Sequence, residues 1–145
     1  MRITHQSQPT STSCVATCVA MLGGISAASA HGMFTEGYLA GTCSVSYMLA
    51  NVGIQCEVLT CDRVSTLNVG EIYLAIVPSV NMPGFNHMVI IDCHTNDGFM
   101  LVWDPAKGTG KRYYVPRGDD LLDVDELATA LVSYTVTHRI ILPEG

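Results

Sequence analysis

The sequence predicts an α+β fold, with N-terminal helices packed on an antiparallel β-sheet. Three observations carry that expectation. Residues 1–56 hold one basic residue, Arg2, and one acid, Glu36, so this third is built for the interior. Within it, Cys14 to Leu22 is apolar on nearly every helical face. From Ile54 onward, short apolar runs separated by turn residues follow one another, and helices followed by strands are an α+β order rather than alternating βα units.

Residues 1–13 are polar and contain Pro9, and they read as an extended loop leading into the first helix. Ser11, Thr12 and Ser13 are N-cap candidates for a helix from Cys14. The pair Gly23-Gly24 is a natural helix stop. Residues 25–43 are ambiguous, with small side chains and glycines at 32, 37 and 41. Ser44 to Gly53 reads as a second helix, and Ile54 to Thr60 as a strand. Strands are expected at Glu71 to Val77, stopped by Pro78, and at His87 to Cys93. Asn96-Asp97-Gly98 signals a hairpin turn, and Phe99 to Trp103 is the returning strand. Lys111 to Val115 is a further strand after the loop at 107–110. Asp123 to Val132 reads as a helix with acids in its first turn, where the helix dipole favours them. Val136 to Leu142 closes the chain as a strand. No repeat and no linker divides the 145 residues, so one domain spanning 1–145 is expected.

Composition narrows the function. Hydrophobic residues make up 48% and charged residues 14%, with a mean hydropathy of +0.31, which excludes a disordered chain. The net charge of −6 argues against nucleic acid as a partner, because that needs a basic face. The apolar stretches at 14–30 and 39–55 are broken by Gly, Ser, Thr and Asn, so no membrane insertion is expected. The polar start Met1-Arg2-Ile3-Thr4-His5-Gln6 is no export signal, which implies a cytoplasmic protein or an effector delivered into another cell. Basic residues gather at Lys107, Lys111, Arg112 and Arg117, and acids at Asp119 to Glu126; both read first as solvated surface.

Six cysteines in a chain without an export signal do not suggest disulfides. Their spacings, Cys14-x3-Cys18, Cys56-x4-Cys61 and Cys93-His94, make no four-ligand zinc set, so neither metal nor cofactor is expected. Five of them read as small packing residues. Cys14 differs because it opens a helix, where the dipole and free N–H groups favour the thiolate.

A thiol nucleophile needs a base on another element. His87 opens a strand beside the Gly84-Phe85-Asn86 turn, a place that is half open to solvent. The midpoint of residues 87 and 104 falls between 95 and 96, near the hairpin turn, so Asp104 should return to the level of His87 and orient its ring. Asp92, five residues along the same strand, is a rival that should lie too far away. Gln8, six residues before Cys14, can donate its amide to an oxyanion; Gln6 is the alternative. His94 reads as exposed, and His5, His31 and His138 lack matched partners. Trp103, beside Asp104, could shield the site from water or simply pack in the core.

Gln8-x5-Cys14, followed by Val-Ala-Thr-Cys-Val-Ala-Met-Leu, resembles the nucleophile region of papain-like cysteine peptidases. It is most similar to the peptidases that remove double-glycine leaders in bacteriocin-processing transporters, and to their stand-alone relatives. His87-Met-Val-Ile-Ile and Val102-Trp-Asp-Pro-Ala-Lys-Gly108 resemble that family's His strand and Asp-Pro-x-x-Gly segment. The helix with Val124-Asp-Glu-Leu and the last strand also sit where the family has them, so the resemblance covers most of the chain. It implies a papain-like fold and a Cys14–His87–Asp104 triad with Gln8 at the oxyanion hole. It also implies a peptide or protein substrate. Ser13-Cys14-Val15 departs from the Asp-Cys-Gly common in the family, and without transporter domains a double-glycine substrate is not implied. The same triad also serves deamidation, isopeptide cleavage and acyl transfer, and the scaffold can bind or inhibit without catalysis. Oligomeric state is left open.

Overall fold

In the computed structural model, which describes residues 1–60, 67–96 and 99–143, a helical layer covers one face of a five-stranded antiparallel sheet. The helices are α1 (Cys14–Gly23), α2 (Ala27–Ala30), α3 (Glu36–Leu39) and α4 (Val45–Asn51), with a π-helical turn at His31–Thr35 joining α2 to α3. The sheet strands are β1 (Gln55–Val58), β2 (Ile72–Pro78), β3 (Asn86–Asn96), β4 (Phe99–Trp103) and β7 (Thr135–Ile141), in the order β1-β7-β2-β3-β4. Between β4 and β7 come β5 (Tyr113–Val115), α5 (Leu121–Val124) and β6 (Ala128–Ala130).

Residues Val15 to Leu22 of α1 are all buried, as an all-round apolar helix requires. Gly24 ends α1 with a positive φ of 71° and returns its N–H to the Ala20 carbonyl. Ser13 occupies the N-cap position, but its hydroxyl exchanges hydrogen bonds with the Thr10 backbone and makes no cap bond. The ambiguous stretch 25–43 is largely helical. Ala30 and Phe34 bury themselves in the core that α1 shares, which holds a helix that its glycines would otherwise weaken.

Both faces of the sheet are covered, so β2 and β3 are apolar on successive residues. Ile72, Leu74, Met88 and Ile90 face the helices; Tyr73, Ala75, Val77, Val89 and Ile91, with Val136 of β7, pack on the other face against Tyr114 and Leu131. The β3–β4 hairpin follows expectation in direction, although Asp97 and Gly98 of its turn lie outside the described residues. Ile90 pairs with Trp103 and Asp92 with Leu101, and the register shifts between Asp92 and Asn96.

Two expectations need correction. Asp123 to Val132 is not a helix: α5 ends at Val124 and the chain becomes β6. Asp125 causes the break, because its carboxylate takes the Tyr113 hydroxyl at 2.6 Å and the Leu127 N–H at 2.9 Å. The strands are also not all antiparallel, since β6 pairs parallel with β5 in a separate two-stranded sheet. Among the described residues no helix is long and apolar enough to cross a membrane.

The first residues form a strap over the segment after β4. The Gln8 N–H donates to the Pro105 carbonyl at 2.8 Å, and the Ser7 hydroxyl to the Lys107 carbonyl at 2.6 Å. Gln6 instead grips the helical layer, donating to Ile25 at 2.7 Å and accepting from Ala27 at 2.6 Å. Gly108 permits this closeness. Its φ is +89°, and a Cβ there would stand 2.5 Å from the Ser7 hydroxyl oxygen. Gly108→Ala is expected to cost about 1–3 kcal/mol, as a non-Gly residue in the left-handed region does. Urea unfolding followed by fluorescence of Trp103, the single tryptophan, checks it. An equal loss in a Ser7→Ala background would assign the whole effect to φ and none to the contact.

Candidate active site

Cys14 stands at the first position of α1, half-buried, on the wall of a cleft of about 350 Å³. Burial alone would push its thiol up. The hydrogen bond and charge of His87, with backbone hydrogen bonds from Met88 and Val15, outweigh burial and hold the thiol below its ordinary value. The first N–H groups of α1 have no acceptor within the helix, and Ser13 does not consume them.

His87 lies at the mouth of β3, across from Val77 on β2. Its Nε2–H donates to Asp104 Oδ1 at 2.6 Å, which leaves Nδ1 for the sulfur of Cys14. Burial depresses the imidazolium. The Asp104 hydrogen bond, the Cys14 contact and both negative charges overcome burial and raise His87 to about 10. At neutral pH the ring is therefore an imidazolium, facing a thiol that is held below its ordinary value.

Asp104 is 1% exposed and fully engaged. Besides His87, Oδ1 accepts the Ala106 N–H at 2.8 Å, and Oδ2 accepts the Tyr114 N–H at 2.7 Å. Its carbonyl accepts from Nε2 of His5 at 2.8 Å. Strand register brings it near His87 with an offset from the expected level. Continued in register from Ile90↔Trp103, Asp104 falls opposite Val89, and the carboxylate spans the rest. Parity also decides between the two acids. His87 and Asp104 share the sheet face that carries Val89 and Val102, whereas Asp92 lies on the helix side with Ile90. There Asp92 accepts the Trp103 indole at 3.1 Å and the His94 N–H at 2.8 Å. Trp103 accordingly packs against the helix-side core.

Gln8 sits beside this group but not in the cleft with Cys14. It lines a smaller recess of about 40 Å³ that shares Ser11, Ser79, Met82 and His87 with the cleft. Its Nε2 donates to the Thr10 carbonyl at 2.7 Å, and its Oε1 is buried without a partner. Gln6 spends both ends of its amide on Ile25 and Ala27. The structure thus joins Cys14, His87 and Asp104 and places Gln8 next to them.

The cleft wall comes from segments the sequence left unplaced. Tyr38 and Leu39 arrive on α3, after the π turn in which Nδ1 of His31 meets the Thr35 hydroxyl at 2.9 Å. Met82 and Phe85 arrive on the loop between β2 and β3. That loop is closed by Ser79 N–H to Phe85 carbonyl at 2.9 Å, and Tyr114 ties its base by donating to the Pro78 carbonyl at 2.6 Å. Leu39 and Phe85 are exposed, which is unusual for large apolar side chains flanking a reactive group. His5 was also missed; nothing in its sequence context joins it to a residue 99 positions away.

Cys14, Cys18, Cys43, Cys56 and Cys93 are free thiols, and Cys61 lies outside the described residues. Among the described residues no group of three His, Cys, Asp or Glu could hold a metal ion. Cys18, one turn below Cys14, is fully buried, and burial pushes its thiol well up. No protein-family model, curated protein or solved structure matches this chain.

Iodoacetamide at neutral pH is expected to label Cys14 before Cys43, Cys56 or Cys93, read by peptide mass mapping; burial raises the Cys93 thiol. Equal labelling of Cys43 and Cys14 would show no activation. A second expectation concerns pH. His87 is raised from 6.5 to about 10, so its charged form adds stability fully below about pH 6.5. That contribution fades as pH rises through about 10, and Asp104→Asn should flatten this limb of the urea-midpoint profile.

Proposed function

We propose that this chain is a cysteine peptidase of papain-like fold that hydrolyses a peptide bond. The observation that carries the reading is the buried relay from Cys14 to His87 to Asp104, with a 2.6 Å bond at its far end. The α+β layering and the helix N-terminus beneath the sulfur support it. The resemblance of Gln8-x5-Cys14, His87 and Asp104-Pro-Ala-Lys-Gly108 to the family's segments supports it too.

The chemistry follows from the charges. The Cys14 thiolate attacks the substrate carbonyl carbon, a carbon–sulfur bond forms, and the carbonyl oxygen becomes an oxyanion. The Cys14 backbone N–H and the Gln8 amide hydrogen not given to Thr10 receive it. The imidazolium of His87 then gives its proton to the leaving nitrogen, and the carbon–nitrogen bond breaks. Neutral His87 next takes a proton from water, whose oxygen attacks the thioester carbon. The acid leaves, and thiolate and imidazolium are restored. Asp104 holds Nε2 throughout, so Nδ1 is the nitrogen that meets sulfur and leaving group.

Incubation with a peptide library, read by mass spectrometry, is expected to give backbone cleavage that is lost in Cys14→Ala and His87→Ala. Asp104→Asn should lower kcat by about 10⁴-fold, as loss of a His-orienting carboxylate does. Gln8→Ala should lower it by about 10²–10³-fold, the cost of one oxyanion donor. A gain of about 1 Da at glutamine, or a crosslink without cleavage, would replace peptidase by deamidase or transferase. Full biological effect in Cys14→Ala would make the protein a binder.

A further inference from the structure

Two unlike spaces adjoin His87. One is the wide cleft with Tyr38, Leu39, Ile76, Met82, Phe85 and Met88. The other is the recess of about 40 Å³ formed by Gln8, Ser11, Ser79, Asn81, Thr109 and Lys111, with Met82 and Ala106. The two share Ser11, Ser79, Met82 and His87, so one extended peptide can occupy both. Residues along such a strand are about 3.3 Å apart, so groups on either side of the reacting amide fall into different spaces.

Polar residues predominate in the lining of the recess, and its charge is positive. No Asp or Glu lines it, and its charges are Lys111 and the imidazolium of His87. Among the described residues Lys111 enters no ion pair. Its place is built. The Asn81 side chain donates to the Arg112 carbonyl at 2.8 Å and accepts the Arg112 N–H at 3.0 Å. These two bonds fasten the loop carrying Met82 to the backbone adjoining Lys111. The surrounding chain has a net charge of −6, so a cation without an ion pair among the described residues, lining the same recess as His87, stands out electrostatically.

Resting on the peptidase reading, we infer that Lys111 selects a carboxylate on the recess side of the scissile bond, opposite the apolar cleft. The carboxylate is an Asp or Glu side chain or the substrate's own C-terminus. The cluster from Lys107 to Arg117 thus contributes one specificity residue to the site. Because the contact is exposed, added salt weakens the selection.

The test uses two peptide series, each with Leu or Phe and a varied residue on opposite sides of a central amide, in both orders. Cleavage by the wild-type chain is expected to be at least about tenfold faster with Asp or Glu than with Asn or Gln, a difference of about 1.4 kcal/mol. Lys111→Glu should reverse the preference toward Lys and Arg. Peptides ending in a free acid or an amide distinguish a C-terminal carboxylate from a side chain. An acid-to-amide ratio near one, or a ratio unchanged in Lys111→Glu, overturns the inference. Binding of the same peptides to Cys14→Ala, by fluorescence anisotropy, separates the two readings. An acid preference in binding without cleavage by wild type sinks the peptidase and keeps the subsite. Cleavage without preference does the reverse, and neither binding nor cleavage overturns both.

Discussion

The buried carboxylate of Asp104 is the constraint on which the site depends. A charge this deep is tolerated only when its oxygens are met by donors, and here three converge on it: His87, Ala106 and Tyr114. Each donor comes from a different part of the fold. β3 brings His87, the turn after β4 brings Ala106, and β5 brings the Tyr114 N–H. The strap from His5 to Gln8 then fixes the same turn through the carbonyls of Asp104, Pro105 and Lys107. Losing any one donor would leave a buried charge underpaired at a cost of about 1–3 kcal/mol or more. The network is therefore both a structural pin for the β half and the device that orients a ring.

The helical half solves the opposite problem. α1 must be buried on nearly all sides and still present one thiol held below its ordinary value. A charged residue near Cys14 on the helix would serve the thiolate but would have to be buried itself. The chain uses partners that carry no extra side-chain charge into that layer: the helix N-terminus and the Met88 and Val15 backbone. The one full counter-charge, His87, arrives from the sheet, where Asp104 compensates it. The near absence of charge in residues 1–56 is thus the condition under which a short α1 carries a low thiol into a packed core.

Much of this was readable from the sequence because it depends on local pattern. Apolar all-round spacing and a Gly pair define α1, and alternating runs define the strands. The relation of His87 to Asp104 follows from hairpin symmetry, although the bulge between Asp92 and Asn96 shifts the register that symmetry assumes. What stayed hidden depends on tertiary contacts. Residues 25–43, interrupted by glycines at 32, 37 and 41, become helical because Ala30 and Phe34 find a core. Asp125 looks like a first-turn acid, but the Tyr113 hydroxyl competes for its carboxylate and turns the chain into β6. Ser13 looks like a cap and bonds back to Thr10. In each case a side chain with a sound local role takes a different partner that only the folded chain supplies.

The same distinction separates chemistry from selectivity. Cys14, His87 and Asp104 sit on α1, β3 and the end of β4, elements that the sheet and its buried faces hold in place. Changing them disturbs packing as well as the proposed reaction, so they leave little room for variation. The walls of the cleft and recess come from α3, the 79–85 loop and the approach to β5, whose side chains are more exposed. Those segments can change without touching the Asp104 network, provided Asn81 or an equivalent keeps the loop attached to the strand side. Asn81 does so through the Arg112 backbone alone, leaving side chains at 109–112 unconstrained by that attachment. The relay and the separately fastened rim can therefore vary independently, and on the proposed peptidase reading the rim is where recognition of a substrate would be decided.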